Sequence, residues 1–177
     1  MKYLFIFSLF FSVTSLAQVQ LPTNDAGQVQ YQELVRVPDA KRPARQIMEQ
    51  TRVWANHYYS ATNEAEQQYD QEHNILFVRT FYQIDKKSVR YTLTVETKFG
   101  RYRATITDLM VEEAGLTQPV RAVSSTVEEM RQVPDSTAKN EKLIEQIATN
   151  QADLYGQIDK SCRDTLANLK QALTEDN

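Results

Sequence analysis

Two acidic side chains are the first candidates for chemistry, because the hydrophobic pattern places both on the buried side of predicted strands. Glu33 falls among the apolar residues of a strand over residues 28–37, and Asp108 lies in a later strand, opposite Tyr91. Two carboxylic acids that face each other across a cleft are the arrangement that hydrolyses glycosidic bonds. The sequence does not set the distance between these two. A hydrogen-bonded structural pair is therefore the favoured interpretation, with an envelope hydrolase as the alternative.

Other residue types that carry chemistry occur without the partners that a reaction or a metal needs. Cys162 is the only cysteine, cannot form an internal disulfide, and lies in an apolar stripe typical of a buried residue. His57 and His73 have no His or Cys at ligand spacing. The chain also lacks a phosphate-binding loop, a dinucleotide fingerprint and a Gly-x-Ser-x-Gly motif. We therefore predict no catalytic residue, no metal and no cofactor, in a protein that is not an enzyme.

A group of basic residues is a candidate for a charged contact. Arg90, Lys98, Arg101 and Arg103 crowd the polar face of a predicted hairpin. Such a patch could receive an anionic polymer, a lipid headgroup or the acidic surface of a partner. A solvated face that Glu96 partly neutralises is the simpler interpretation.

The hairpin itself covers residues 89–111 and has the clearest pattern in the chain. Apolar and polar residues alternate along both halves, as expected when one face of a sheet is buried. A two-residue loop at Phe99-Gly100, of type I′ or type II, would pair Lys98 with Arg101. That register predicts apolar pairs on one face and polar pairs on the other: Val95 with Ala104, Leu93 with Ile106, Val89 with Met110, Thr92 with Thr107, Thr94 with Thr105, and Glu96 with Arg103.

The elements around the hairpin are predicted from shorter patterns. A strand over residues 28–37 precedes an amphipathic helix from its N-cap at Asp39 to about Tyr59, with Trp54 as its anchor. The strand over residues 74–84 is apolar on both sides, so something besides this helix should cover the second face of the sheet. Its second-face residues are Ile75, Phe77 and Phe81.

The end of the chain predicts one long helix over residues 137–173. Its apolar stripe includes Leu143, Ile147, Leu154 and Ile158. At 1.5 Å per residue the helix would reach about 50 Å. Unless Gly156 bends the helix, one of its ends would overhang the sheet. The predicted class is α+β: an antiparallel sheet of four to five strands with one packed helix, in β-α-β-β-β order, followed by the long C-terminal helix.

The start of the chain is typical of a secretory signal peptide. A basic start, an apolar run and a small-residue end at Ala17 predict cleavage before Gln18. The residue after this site is not a cysteine, so we expect a periplasmic or secreted protein without a lipid anchor. Losing Lys2 leaves 19 basic residues against 23 acidic ones, a net charge of −4, which disfavours nucleic-acid binding. No later segment is apolar enough to cross a membrane.

The predicted elements divide the chain into five parts. Residues 1–17 are the signal peptide, and residues 18–27, which contain Pro, Asn, Asp and Gly without periodicity, are a flexible segment. Residues 28–115 form the α+β domain, and residues 137–177 the C-terminal helix. Between them, residues 116–136 are a connector that contains a short helix. This helix is predicted to begin at the capping boxes of Ser125 and Thr126 and to end at Pro134.

Residues 21–115 resemble a secreted family of unknown function from Bacteroidota, described as having a TBP-like fold. The resemblance rests on Gly-x-Val-x-Tyr at residues 27–31, the helix with Trp54, and Gly-Arg-Tyr-Arg at residues 100–103. The chain departs from it at Phe99, where a turn-forming Asp or Asn would be expected. The resemblance implies the order of strands and helices, and it brings no catalytic residues.

Taken together, these patterns favour a non-enzymatic binding or interaction module of the cell envelope. Its surfaces would be the second sheet face and the stripe of the last helix, recognising a partner protein or an apolar ligand. A helix that covers the sheet loosely would leave a pocket for an acyl chain or peptide, as in helix-grip proteins. A helix that overhangs would instead predict a homodimer or a complex with another envelope protein.

Overall fold

The computed structural model describes residues 18–60, 64–131 and 141–175. The predicted signal peptide lies outside these residues, and so does the stretch 132–140, which contains Pro134 and the predicted start of the last helix. The described residues form nine elements: β1 (Tyr31–Arg36), α1 (Ala44–Tyr58), β2 (Glu66–Asp70), β3 (Ile75–Ile84), β4 (Lys87–Lys98), β5 (Arg101–Glu113), β6 (Leu116–Pro119), α2 (Val127–Arg131) and α3 (Glu141–Thr174).

The strands form one antiparallel sheet, so the predicted α+β class is confirmed. Their order is β1-β5-β4-β3-β2, and β6 pairs with the part of β5 that extends beyond β1. The sheet has six strands where four to five were expected. The additional strand β6 follows a turn in which Ala114 and Gly115 both have positive φ, 50° and 82°. This turn reverses the chain just before residue 116, so β6 occupies the start of the stretch predicted as a connector.

The central hairpin has the predicted register from its tip to Thr92. Positive φ occurs at Gly100 (68°) and not at Phe99, which is the pattern of a type II turn rather than type I′. Lys98 pairs with Arg101 across this turn. The confirmed pairs beyond it are Glu96 with Arg103, Val95 with Ala104, Thr94 with Thr105, Leu93 with Ile106, and Thr92 with Thr107.

A β-bulge at Asp108 and Leu109 changes the pairing beyond Thr92. Arg90 pairs with Met110 and Thr92 with Thr107, so Tyr91 faces two residues instead of one. Asp108 has a φ of 55° and is exposed, whereas Leu109 enters the core with 4% of its surface exposed. The prediction that Asp108 faces the buried side was therefore wrong. The predicted pair of Val89 with Met110 was wrong for the same reason, since Val89 pairs with Val111.

Helix α1 begins at Ala44, after Pro43, rather than directly after Asp39. Proline disfavours helical backbone in the residue before it and suits the start of a helix, which accounts for the later boundary. The Asp39 carboxylate instead accepts a hydrogen bond from the Lys41 backbone N–H at 2.9 Å and closes a turn. The face of α1 that packs on the sheet consists of Ile47, Met48, Thr51, Trp54 and Ala55.

Helix α3 lies beside α1 on the same face of the sheet. The Trp54 indole Nε1–H on α1 donates to Asn168 Oδ1 on α3 at 2.8 Å. The Tyr31 hydroxyl on β1 donates to Asp159 Oδ1 on α3 at 3.1 Å. These contacts place the C-terminal part of α3 over β1 and against α1. We call this side of the sheet the covered face.

The opposite side, the open face, carries no helix within the part of the chain that the structure describes. Ile75, Phe77 and Phe81 lie on it and are half-buried. Their cross-strand neighbours on β4 are Glu96, Thr94 and Arg90, respectively. Long polar side chains bury neighbouring apolar surface with their stems. The expectation that another element covers this face was thus wrong for the described residues.

Residues 18–27 are held by hydrogen bonds, contrary to the predicted flexible segment. Leu21 is 2% exposed, and its backbone N–H donates to the Ala122 carbonyl at 2.8 Å. The Asn24 side-chain carbonyl accepts from the backbone N–H groups of Ala26 and Gln28, both at 3.0 Å. A segment without periodicity is therefore ordered by pairing with a distant stretch, which sequence periodicity does not report.

Helix α3 runs without interruption through Gly156 and has 34 residues, a length of about 51 Å. The apolar stripe of its C-terminal part is buried from Leu154 onward. In its N-terminal part, Leu143 and Ile147 of the predicted stripe are 44% and 45% exposed. The two parts of one helix therefore contribute to different regions, a packed core and a partly open cleft.

Candidate ligand-binding cleft and basic surface

A cleft of about 650 Å³ lies on the covered side, where the sheet extends past the packed core. The ends of β4 and β5 together with β6 form its floor, the N-terminal half of α3 its roof, and α2 one wall. Its apolar lining consists of Val111, Ala114, Leu116, Pro119, Val120, Met130, Ile147, Leu154 and Tyr155. Its polar lining consists of Lys87, Glu113, Gln118, Asn150 and Gln151.

Two hydrogen bonds hold α3 above the chain that follows β6. The backbone N–H of Ser125 donates to Gln151 Oε1 at 3.1 Å, and that of Arg121 donates to the Tyr155 hydroxyl at 3.1 Å. Both acceptors lie on the cleft side of α3. The roof of the cleft is therefore fixed relative to its floor, as expected of a largely preformed site.

Among the described residues that line the cleft, Lys87 and Glu113 form the only ion pair. Their side chains approach to 3.1 Å, between Lys87 Nζ and Glu113 Oε2. The apolar and polar side chains of the lining together suit a molecule that has both an apolar and a polar part. Within the described residues, no group of three or more His, Cys, Asp or Glu could hold a metal ion.

The predicted helix residues divide between the cleft, the surface and the core. Ile147 and Leu154 line the cleft, and Leu143 is partly exposed outside it. Ile158 is 0% exposed and belongs to the core, so the prediction that it contacts a ligand or partner was wrong. β6 and Met130 on α2 were missed, because a four-residue polar strand and a five-residue helix carry almost no periodicity.

The proposed hydrolytic pair is not brought together. Glu33 pairs with the buried Ala104 and stands, half-buried, between Tyr31 and Val35 on the covered face. Asp108 lies at the bulge and borders a depression lined by the open-face residues Phe81 and Thr92. The sheet therefore separates the two carboxylates, and the hydrolase hypothesis loses its geometric basis.

Three of the four predicted basic residues gather at one end of the open face. Lys98, Arg101 and Arg103 surround the hairpin tip, whereas Arg90 pairs separately with Glu112 at 3.1 Å. Arg36 joins them because β1 places it directly opposite Arg101. Arg36 was not predicted as part of this group, since the pairing of β1 with β5 is not visible in either strand alone.

Cys162 is 2% exposed, as its position in the apolar stripe predicted. Burial, together with the neighbouring Asp159 charge, raises the pKa of its thiol to about 12. At neutral pH the group is thus a protonated thiol, which is a weak nucleophile. It packs near Tyr82 and Tyr31, whose pKa values burial also raises.

Comparisons with known proteins show an α+β fold of the TBP-like type. One solved structure is a TBP-like protein from Parabacteroides distasonis, with a TM-score of 0.51 and 13% identity over 84% of this chain and 96% of that one. Another is a DUF4468 family protein from Bacteroides ovatus, with a TM-score of 0.55 and 12% identity over 88% and 91%. These identities show a shared fold alone.

The predicted resemblance to TBP-like proteins of Bacteroidota is thus confirmed at the level of the fold. No protein-family model matches the chain, and no curated protein is similar to it. In the described residues, no helix has the length and apolar character that crossing a membrane requires.

Proposed function

We propose that this chain is a non-enzymatic binding module of the cell envelope, which holds an amphipathic small molecule in the cleft beneath the N-terminal half of α3. The observation that carries the proposal is the cleft itself, which has a volume of about 650 Å³ and a lining that combines apolar and polar side chains. Ligand sites in proteins typically enclose roughly 300–1,000 Å³ and combine apolar walls with a few polar groups.

The arrangement of the lining favours a ligand that has an apolar chain and a polar end. Val111, Ile147 and Leu154 offer the apolar surface. Lys87 and Glu113 stand 3.1 Å apart and can each contact a polar group of the ligand. The amide side chains of Gln118 and Asn150 add donors and acceptors. The sequence had predicted a pocket between the last helix and the second sheet face, whereas this cleft lies between α3 and the covered face.

A binding role accounts for the lining better than catalysis does. Among the described residues, the cleft lining contains no Ser, His or Cys, and its titratable side chains are Lys87, Glu113 and Tyr155. Lys87 and Glu113 neutralise each other, and Tyr155 accepts a structural hydrogen bond from Arg121. The envelope location in this proposal comes from the predicted signal peptide.

The test is native mass spectrometry of residues 18–177, purified without detergent from the compartment where the protein accumulates. We expect a bound mass that Asn150→Trp removes, because an indole at this exposed position would project into the cleft. Gln157→Trp is the matched control, since Gln157 is exposed on the same helix but does not line the cleft.

Binding of a defined probe complements the measurement. Dansyl-aminoundecanoic acid carries an apolar chain and a carboxylate, and its fluorescence rises when it leaves water. We expect saturable enhancement with the unmodified chain and Gln157→Trp, and a loss of roughly tenfold or more in affinity with Asn150→Trp. Equal probe binding by the two variants, with no retained mass in the unmodified protein, would contradict the proposal.

A partner-protein role is the second candidate, because two large apolar side chains of α3 remain exposed. Leu143 is 44% and Ile147 45% exposed, one helical turn apart on the same side. The same mass spectra distinguish this role. A stable dimer that Leu143→Ser converts to a monomer would favour assembly through α3 over ligand binding.

A further inference from the structure

One end of the open face combines basic and apolar side chains. Lys98, Arg101 and Arg36 are cross-strand neighbours in the first row of the sheet. Arg103 and Leu34 are neighbours in the second row. Phe99 forms the tip of the turn. We call these six residues the hairpin-end surface: Leu34, Arg36, Lys98, Phe99, Arg101 and Arg103.

The charges of this surface do not cancel. Glu96 lies 2.9 Å from Lys98 and 3.7 Å from Arg103, between the nearest side-chain N and O atoms. The hydrogen bond from Lys98 lowers the pKa of this carboxyl, so it stays ionised at neutral pH. Four cations therefore share one carboxylate. Arg36 stands directly opposite Arg101, an arrangement of like charges that weakens strand pairing.

The surface also exposes two large apolar side chains. Phe99 is 64% and Leu34 59% exposed. Single exposed apolar residues are common in proteins, but here both lie among the cations at one end of the sheet. Phe99 projects from the outermost point of the hairpin, so it forms a convex apolar tip rather than the wall of a groove.

The tip is held rigidly by the loop that precedes α1. The Gly100 N–H donates to the Arg42 carbonyl at 2.9 Å, and the Gly100 carbonyl accepts from the Val37 N–H at 3.1 Å. A Cβ at Gly100 would collide with the Ala40 carbonyl oxygen. This packing fixes the backbone next to Phe99. It also brings the loop residues Lys41 and Arg42 to the same end of the molecule.

We propose that the hairpin-end surface docks the protein on a membrane surface that contains anionic lipid. Phe99, with Leu34 behind it, enters the boundary between headgroups and acyl chains, and the surrounding Lys and Arg side chains contact lipid phosphates. Peripheral membrane proteins bind through this combination of apolar insertion and attraction to anionic lipid. The inference goes beyond the proposed function and concerns a different part of the molecule.

A bilayer fits this surface better than an acidic protein does. A convex aromatic tip needs an apolar recess in a protein partner, whereas a bilayer offers apolar material directly beneath its charged phosphates. The whole chain has a formal net charge of −3, so most of the molecule would be repelled from an anionic surface. The basic end is attracted instead, which would orient the protein with the cleft region away from the membrane.

The test is cosedimentation of residues 18–177 with vesicles of equimolar phosphatidylglycerol and phosphatidylcholine at low salt. We expect binding that is lost on pure phosphatidylcholine and at high salt, where surface attraction is screened. Arg101→Glu should weaken binding on the order of tenfold or more, because each cation near an anionic surface strengthens binding roughly fivefold and this change also adds an anion. Arg79→Glu is the charge control, since Arg79 is exposed on the open face away from this end.

Phe99→Ser tests insertion separately from charge. We expect it to weaken vesicle binding roughly tenfold, whereas Val53→Ser, at a residue of α1 that is 69% exposed and belongs neither to this surface nor to the cleft, should not. In Phe99→Trp, the new indole should show blue-shifted emission on phosphatidylglycerol vesicles, measured against the background of Trp54. Val53→Trp should show no such shift.

Either of two results would overturn the proposal. One is an unmodified chain that fails to bind the anionic vesicles. The other is binding that Arg101→Glu abolishes but Phe99→Ser leaves intact, which would indicate a purely electrostatic contact such as an acidic protein provides. Phe99→Ser leaves the cleft unchanged, so retained ligand mass in this variant separates a failure here from a failure of the proposed function.

Discussion

The covered and open faces of the sheet are built from the same strands but differ in what lies against them. On the covered face, α1 and α3 bury side chains such as Leu93, Ile106 and Leu169, each 0% exposed. On the open face, pairs such as Thr94 with Thr105 and Glu96 with Arg103 meet solvent. The comparison indicates that stability resides on one face, which leaves the other able to carry exposed Phe99 and unbalanced charge.

The largest expected difference between the faces is the loss of unfolding free energy when a side chain is truncated to alanine. Ile106→Ala should lower the free energy of unfolding by about 2–5 kcal/mol, because it leaves a cavity in a fully packed core. Thr105→Ala, the next residue on the opposite face, should change it by less than about 1 kcal/mol. Urea denaturation of both variants measures the difference. Similar losses for the two would mean that the open face is covered by something else.

Gly100→Ala tests how the tip of the open face is held. The alanine would have to adopt a positive φ and would collide with the Ala40 carbonyl. We expect a loss of about 2 kcal/mol or more in unfolding free energy, with the positive φ alone accounting for roughly 1 kcal/mol. Gly27→Ala is the control, because Gly27 has a φ of 75° with no neighbouring atom. Equal losses would show that the contact with Ala40 contributes nothing.

Alkaline pH should act through the covered face. Burial raises the pKa of Cys162 from 9.0 to about 12 and that of Tyr91 from 10.0 to about 12. The folded state binds these protons more tightly than the unfolded state does. Their contribution to stability is therefore complete below pH 9 and decreases as the pH rises toward 12.

The measurement is the thermal unfolding midpoint between pH 8 and pH 11, as approximate limits of the range set by these pKa values. We expect a smaller decrease for Cys162→Ala than for the unmodified chain, when each is compared with its own value at the lower pH. An identical decrease in both would exclude Cys162 as a contributor.

The smallest expected effect concerns the bulge on the open face. Asp108 has a φ of 55°, which glycine adopts without the steric cost of a Cβ. Asp108→Gly should therefore change the unfolding free energy by no more than about 1 kcal/mol, in the stabilising direction. Asp108→Ala should destabilise, because alanine lacks the short polar side chain that helps Asp tolerate this conformation. Stabilisation by both variants would argue against strain at the bulge.

The hairpin was predictable because its information is local. Alternation on each side of Phe99-Gly100 sets both the buried face and the pairing of Leu93 with Ile106. The bulge was not predicted, since Asp108 adds a single residue to one strand and leaves both flanking patterns intact. The cleft was only partly predicted. Ile147 and Leu154 belong to a long helical stripe, whereas β6 is too short to show a period.

The sequence by itself determined the α+β class, the central hairpin, the apolar stripe of α3 and the buried state of Cys162. These follow from periods of two and 3.6 residues and from burial of apolar surface, which neighbouring residues already encode. Only the tertiary structure decided that α3 lies beside α1, that Glu33 and Asp108 are separated by the sheet, and that Arg36 meets Arg101. Each depends on contacts between distant segments, where packing and register choose among arrangements that the local pattern permits equally.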